Sequence, residues 1–384
     1  MVERKDEEIG EEEAALYDRQ IRLWGLEAQN RLRNASVLLV GLSGLGAEIA
    51  KNLMLAGLKK LTLMDTEKLT EADTRSQFLA PITAIGENRA QASLDRCQQL
   101  NPMVELSVET SSNVAEKDVS YFRQFDFVCL LDQSPSAVVQ PTNERCRAAG
   151  VKMAAGGVYG WVGWSFLDLL QHEYAEEEQT TGQEETLDIA ETLDEDNEEG
   201  DDVISEPPPT KKKKETDDTV LDDKTMVKKT DTYVSFQDAM TADWSIKSRV
   251  GKGKKLPSAY FIIQSVWRYM EQYGLIPSFT ECAGDAGQGS GRSEVLDRLE
   301  RDWDAVLNGV GVKQRADVDV TPADFVDFIG GSLNPVCAVM GGVLGQEIIK
   351  VLSNKDKPIK NMFFYNALNS TGIVAEIPPP TSGR

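Results

Sequence analysis

One histidine, His172, is the only imidazole in 384 residues. A Ser–His or Cys–His pair would have a single candidate base, which argues against that chemistry. Cysteine is scarce as well. Cys97, Cys129, Cys146, Cys282 and Cys337 form no C-x-x-C pair, so no thiol-rich zinc site is visible. An odd, scattered set of thiols suits a reducing compartment. No signal peptide and no long apolar run stand out, so neither secretion nor membrane spanning is expected.

Positive charge is also short, with a formal net charge of -22, but the deficit is local. From Glu173 to Asp223 there are 21 Asp plus Glu against 4 Lys, a net of -17, which leaves -5 for the rest. That remainder is ordinary for a soluble protein. Residues 175–230 are acidic, rich in Thr and poor in aromatics, and they contain Pro207-Pro208-Pro209 and then Lys211-Lys212-Lys213-Lys214. Such a segment cannot bury enough apolar surface to fold, so a disordered insert is expected. The lysine run reads either as a nuclear-import signal, placing the protein in the nucleus as well as the cytoplasm, or as a solvated charge cluster.

What is present is organised around Val37 to Asp65. An apolar strand leads into Gly41-Leu42-Ser43-Gly44-Leu45-Gly46, a helical run to Gly57, and a second strand ending in Asp65. That is the opening unit of a nucleotide-binding α/β sheet. In the G-x-G-x-x-G fingerprint the first glycine makes the turn, the second admits phosphate and the third lets helix pack on strand. Gly41 and Gly46 fill the first and third places, but Ser43 takes the second. Packing survives, while phosphate binding competes with a purely structural role for the loop. Asp65 is either a ribose acid or a turn acid.

The rest follows in order. Apolar Tyr17, Ile21, Trp24 and Ala28 predict one helix over 12–32, with Arg19 on the opposite side as a solvated charge. A helix over 88–100 ended by Asn101-Pro102, strands over 104–108 and 126–131, a helix over 143–149, a strand over 151–155, and a bent or antiparallel extension over 159–166 come next. The pattern is helical from Ser235 to Leu307, with Tyr260, Ile263, Val266, Trp267 and Met270 on one face, and is interrupted by a Gly-rich loop over 284–291. A helix is expected over 325–351 and strands over 362–366 and 372–377. The fold class is therefore α/β, a Rossmann-like doubly wound sheet. Its N-terminal part covers 1–172, the acidic insert 173–231, a helical insertion 232–320 and the C-terminal part 321–384.

Together, Tyr17-Asp18-Arg19-Gln20-Ile21-Arg22-Leu23-Trp24-Gly25, the Gly41–Gly46 loop, Asp65, Gln77-Phe78-Leu79 and the Pro335–Lys350 stretch resemble the adenylation domain of ubiquitin-like-protein activating enzymes and their MoeB/ThiF relatives. The resemblance covers roughly 12–172 and 232–378. Leu26-Glu27-Ala28-Gln29 and Phe363-Phe364-Tyr365 are similar to the smaller subunits of the SUMO-activating branch.

The resemblance implies a pseudo-symmetric heterodimer with a larger catalytic subunit. It also implies SUMO as a partner, and ATP with Mg2+ bound mainly by that larger subunit. Acyl adenylation is followed by thioester transfer to a cysteine on the partner. It implies, further, that this chain is the inactive half. Ser43 replaces a loop glycine, Ser76 stands where the active half has its phosphate-binding Arg, and Arg89 stands at its catalytic Lys. Asp132 falls where the active half keeps a magnesium-binding Asp, and is read here as a relic or capping acid. Cys337, in a helix, is not expected to form the thioester. No residue is assigned firmly to a cofactor or metal in this chain. Arg19 gains a sharper role, crossing the interface to an ATP phosphate in the partner's site, because its fork neutralises phosphate charge and keeps its proton. Arg22, one turn on, either assists or is structural. The rival readings are a self-sufficient MoeB/ThiF-like homodimer, a nicotinamide-dependent dehydrogenase, and a pure scaffold in which Arg19 is idle.

Overall fold

A computed structural model describes residues 9–110, 113–177, 226–244, 256–274, 276–277 and 290–378. The central sheet has eight strands: β1 Ser36–Val40, β2 Lys60–Met64, β3 Glu105–Glu109, β4 Phe127–Leu131, β5 Lys152–Tyr159, β6 Val162–Asp168, β9 Met362–Asn366 and β10 Thr371–Ala375. They lie in the order β10-β9-β6-β5-β4-β1-β2-β3. The five strands β3-β2-β1-β4-β5 are parallel, and β6, β9 and β10 add on antiparallel. This is the expected doubly wound core with an antiparallel extension.

Both faces of the sheet are covered, so β1 is apolar throughout and its alternate residues serve different cores. Val37 and Leu39 pack with α4 (Gly44–Ala56) and with Met340, Leu344 and Ile348 of a 20-residue helix, α12 (Asn334–Ser353). Leu38 and Val40 pack in the other core with Trp164, Phe236 and Trp267. There Trp164 meets Trp267 edge-on, ring centres 4.7 Å apart. That layer comes from α8 (Phe236–Thr241), α9 (Ser258–Tyr273) and α10 (Ser290–Asn308). The apolar face expected on α9, Tyr260, Ile263, Val266, Trp267 and Met270, is buried.

Several element boundaries differ from expectation. The helix over 12–32 is three pieces: α1 (Glu11–Leu16), α2 (Asp18–Trp24) and α3 (Leu26–Leu32). Gly25, at φ +89°, breaks it in a conformation that L side chains rarely adopt. The helix over 325–351 starts only at Asn334. Pro335 sits in its first turn, where its missing N–H costs nothing, and Phe325 ends a separate short helix, α11 (Pro322–Phe325). By length and composition α12 is apolar enough to cross a membrane, an apolar run that the sequence reading passed over. Here it is a core helix packed on α4. A four-residue helix, α6 (Val119–Phe122), precedes β4, and the helix expected at 143–149 is α7 (Gln140–Ala149), which follows a π-turn over Pro135–Val139.

The acidic insert is not irregular to its ends. Gln171–Glu177 (β7) and Met226–Thr232 (β8) form an antiparallel hairpin, Gln171 opposite Thr232 and Glu177 opposite Met226. The boundaries expected at 173 and 231 therefore fall inside paired strands. Residues 178–225, with the Lys211–Lys214 run, lie outside the described residues, as do Cys282 and most of the Gly284–Gly291 loop.

Candidate functional site

The glycine turn closes over the C-terminal ends of β1 and β4. Gly41 has φ +93°, and a Cβ there would lie 2.3 Å from the carbonyl oxygen of Leu131. A Cβ on Gly46 would lie 2.1 Å from the carbonyl oxygen of Gly41, so the third glycine does serve helix–strand packing. Ser43 precedes α4 without capping it. Its hydroxyl instead donates to Asp132 Oδ2 at 2.5 Å. Next to it Gly44 leaves room for Ser76, whose Oγ would meet an added Cβ at 2.4 Å. Ser43 and Ser76 are both buried.

Asp65, buried at the end of β2, is fully engaged. Its Oδ2 accepts the Leu42 N–H at 2.6 Å and Arg89 Nε at 3.0 Å. Its Oδ1 accepts the Glu67 N–H at 2.8 Å and Arg89 Nη2 at 3.2 Å. Asp65 is thus a turn acid and an ion-pair partner at once. Arg89 opens α5 (Arg89–Leu100), whose N-cap is Asn88, and also reaches Asp73 Oδ1 at 3.4 Å. Burial works against the Arg89 charge, but the facing carboxylates, Asp65 first, more than offset it, so its pKa is raised.

Asp132 follows β4 with φ +54°. Its Oδ1 accepts the Val158 N–H at 3.0 Å while Oδ2 holds Ser43. Burial raises its pKa above the usual carboxylate range, and its hydrogen bonds from Ser43 and Val158 only partly offset that. Both Asp65 oxygens already take two donors, which leaves none open to a ribose, and each Asp132 oxygen takes one donor from the protein. The residues present do not fit a bound ATP–magnesium complex. A cleft of about 700 Å³ remains beside the loop, lined by Ser43, Asp73, Arg75, Ser76, Trp161 and Phe328 among others. Among the described residues no three His, Cys, Asp or Glu side chains come together as a metal site.

Arg19 stands apart from this cluster. It is exposed on α2 and makes no hydrogen bond or ion pair among the described residues. Arg22 is tied to Asp18, Nη2 to Oδ2 at 3.0 Å. Tyr17, at the start of α2, is buried as expected, Asn101 donating to its hydroxyl at 2.7 Å. Cys337 is fully buried in α12, its thiol pushed well above its usual range by burial. Burial does the same to Cys97 and Cys146, each to about 12, and to Cys129. Thiolates are the nucleophilic form, so these four are poor nucleophiles. His172 is far from the loop in role. It is buried on β7, its Nδ1 2.8 Å from Lys152 Nζ.

Sequence reasoning aligned Asp65 and Arg89 with separate roles and missed their mutual contact, for which residues 24 apart give no local signal. It also missed Asn101, read only as a helix stop. Gln77, quoted as a motif residue, proves structural. Its amide bridges Leu42 O at 3.1 Å and Ser93 Oγ at 2.8 Å.

The model of the ThiF family matches residues 17–382. The chain is similar to SUMO-activating enzyme subunit 1 of Danio rerio, 42% identical over 374 residues, covering 97% of each chain. It is 40% identical to the Homo sapiens protein of the same name over 381 residues, 99% of this chain and 100% of the other. A solved structure of E. coli MccB with succinimide matches 95% of this chain and 73% of its own, with a TM-score of 0.48 and 11% identity.

Proposed function

From its membership of the ThiF family, to which the chain belongs, we propose that it is the smaller, non-catalytic subunit of a heterodimeric, ATP-dependent SUMO-activating enzyme. The larger subunit would bind ATP and Mg2+, join the C-terminal carboxylate of SUMO to AMP with release of pyrophosphate, and carry the cysteine that receives SUMO as a thioester. This chain would hold the dimer together and supply Arg19 in trans. There the guanidinium neutralises phosphate charge on the partner's ATP, a role that suits a planar, permanently charged fork.

The observation that carries the reading is the closure of the loop site on itself. Arg89 occupies Asp65, and Ser43 occupies Asp132. A chain so arranged favours a partner-dependent role over the self-sufficient homodimer and the dehydrogenase. Among the described residues Arg19 is exposed and without a partner while Arg22 is held by Asp18, which leaves Arg19 as the motif cation suited to reach across an interface. The Lys211–Lys214 run would serve nuclear import.

SUMO-driven ATP–pyrophosphate exchange tests this, with the chain alone, the larger subunit alone and the two mixed. Exchange only in the mixture, strongly reduced by Arg19→Ala, is expected. Exchange by this chain alone would overturn the reading.

A further inference from the structure

Helix α2 carries Arg19 on seven residues, none of them buried. So short a helix is marginal in water, and with no buried face its position is set by its ends. Both ends are tied to the same place. At the N-terminal end the Tyr17 ring packs against Gly57, so closely that a Cβ there would come within 2.5 Å of it. The Tyr17 hydroxyl accepts from Asn101 Nδ2 at 2.7 Å, and the same amide donates to Met54 O at 2.9 Å. At the other end Trp24 Nε1 donates to Gln29 Oε1 at 3.0 Å, and Gln29 Nε2 donates to Ala56 O at 3.0 Å. Met54 and Ala56 are the last turn of α4, the helix that springs from the glycine turn. Asn101 and Gln29 are themselves buried. A weaker tie, from half-buried Lys355 to Leu23 O at 3.1 Å, is added.

We infer that Asn101 and Gln29 are positioning residues for the adenylation reaction, fixing where α2 presents Arg19 by anchoring Tyr17 and Trp24 to the carbonyls that end α4. The inference rests on the reading that Arg19 acts on the partner's ATP. Its physical basis is the steep dependence of catalysis on placement, where a 1 Å error costs on the order of 10²-fold. Each relay passes through one side-chain amide, so it can be cut without removing packed volume.

The test uses the full heterodimer with the larger subunit. Tyr17→Phe removes only the hydroxyl, and Gln29→Met keeps the volume of the amide while losing both of its bonds. Trp24→Phe, which loses the indole donor, is the second arm should Gln29→Met not assemble. Exchange kinetics are measured in each, alone and combined with Arg19→Ala, with dimer assembly followed alongside. The expected result is a fall in kcat of about tenfold, short of the roughly 10²-fold for gross misplacement, with KM for SUMO unchanged. In the Arg19→Ala background the same substitutions should cost nothing more. If Arg19→Ala lowers exchange but the relay variants do not, the inference fails while the role of Arg19 stands. Losses that multiply with that of Arg19→Ala would also overturn it, since the relay would then act on something else. If Arg19→Ala itself is silent, the underlying reading is what fails.

Discussion

The guanidinium of Arg89 closes on the carboxylate of Asp65 through two parallel contacts, Nε to Oδ2 at 3.0 Å and Nη2 to Oδ1 at 3.2 Å. The Asp65 side chain is 3% exposed and that of Arg89 17%. At this burial the desolvation of both ions offsets much of their attraction, so the pair adds little net stability, yet removing one partner strands the other.

Arg89→Met should therefore destabilise the chain by about 3 kcal/mol, the cost of leaving a buried carboxylate without its cation. Urea unfolding of the isolated chain reads that loss. Pyrophosphate exchange by the assembled heterodimer, measured well below its melting temperature, should stay near wild type. A collapse of exchange in an intact dimer would mean that Arg89 does more than neutralise Asp65.

Restoring the missing loop glycine should not restore turnover. Ser43→Gly removes the hydroxyl on Asp132 but leaves Asp65 held by Arg89. The isolated variant chain is expected to show no ATP–pyrophosphate exchange. Its stability should fall by about 1–3 kcal/mol, the range for a lost hydrogen bond to a charged group. Exchange by this single variant would show that the serine alone silences the site.

Gly44→Ala should unfold or strongly destabilise the chain, because the new Cβ would meet Ser76 Oγ at 2.4 Å and Ser76 Cβ at 2.5 Å. Combining it with Ser76→Gly removes both atoms and should recover most of the loss. Ser76→Ala keeps the Cβ and should rescue less. Thermal melts of the three variants decide this, and equal rescue by both would place the strain elsewhere.

His172 should make stability fall on acidification. Burial, and then the neighbouring Lys152, lower its pKa to about 3, from an ordinary value near 6.5. Between those values the unfolded chain binds the proton that the folded chain refuses. Stability contributed by the neutral ring is thus complete above about pH 6.5 and is lost as pH falls toward 3. The slope is at most about 1.4 kcal/mol per pH unit from this group. Lys152, lowered to about 8 by burial, stays charged through that window, and Asp231 opposes the shift only weakly. Urea midpoints of wild type and His172→Gln across pH 4 to 7 should converge as pH falls. Parallel curves would show that His172 is not the titrating group.

How much was legible follows from how local each cause is. Gly41 and Gly46 were read correctly because the clash that forbids a Cβ arises inside the motif itself. Four of the five parallel strands followed from short apolar runs, the pattern of a sheet buried on both faces, and the edge strand β3 from alternation. The single helix over 12–32 was wrong although its breaker, Gly25, was in plain view, because the apolar spacing from Tyr17 to Ala28 runs through the break unchanged. The late start of α12 at Asn334 also had its signal in Pro335. In β7 the alternation of exposed Gln171 and Glu173 with buried His172 and Tyr174 was masked by the charge of the segment that follows. The pairings of Asp65 with Arg89, Ser43 with Asp132, and Tyr17 with Asn101 were not legible. Each joins residues 24 to 89 positions apart through side-chain direction, which residue type alone does not fix.

The β7–β8 hairpin has one more consequence. Because Glu177 stands opposite Met226, the chain leaves and re-enters the fold at adjacent points. The two strand ends form a fixed clasp. The entropy of closing such a loop rises only slowly, about 0.6 kcal/mol for each doubling of its length. The fold therefore has an insertion port, where sequence can be lengthened, shortened or exchanged for a folded module with little effect on the sheet behind it.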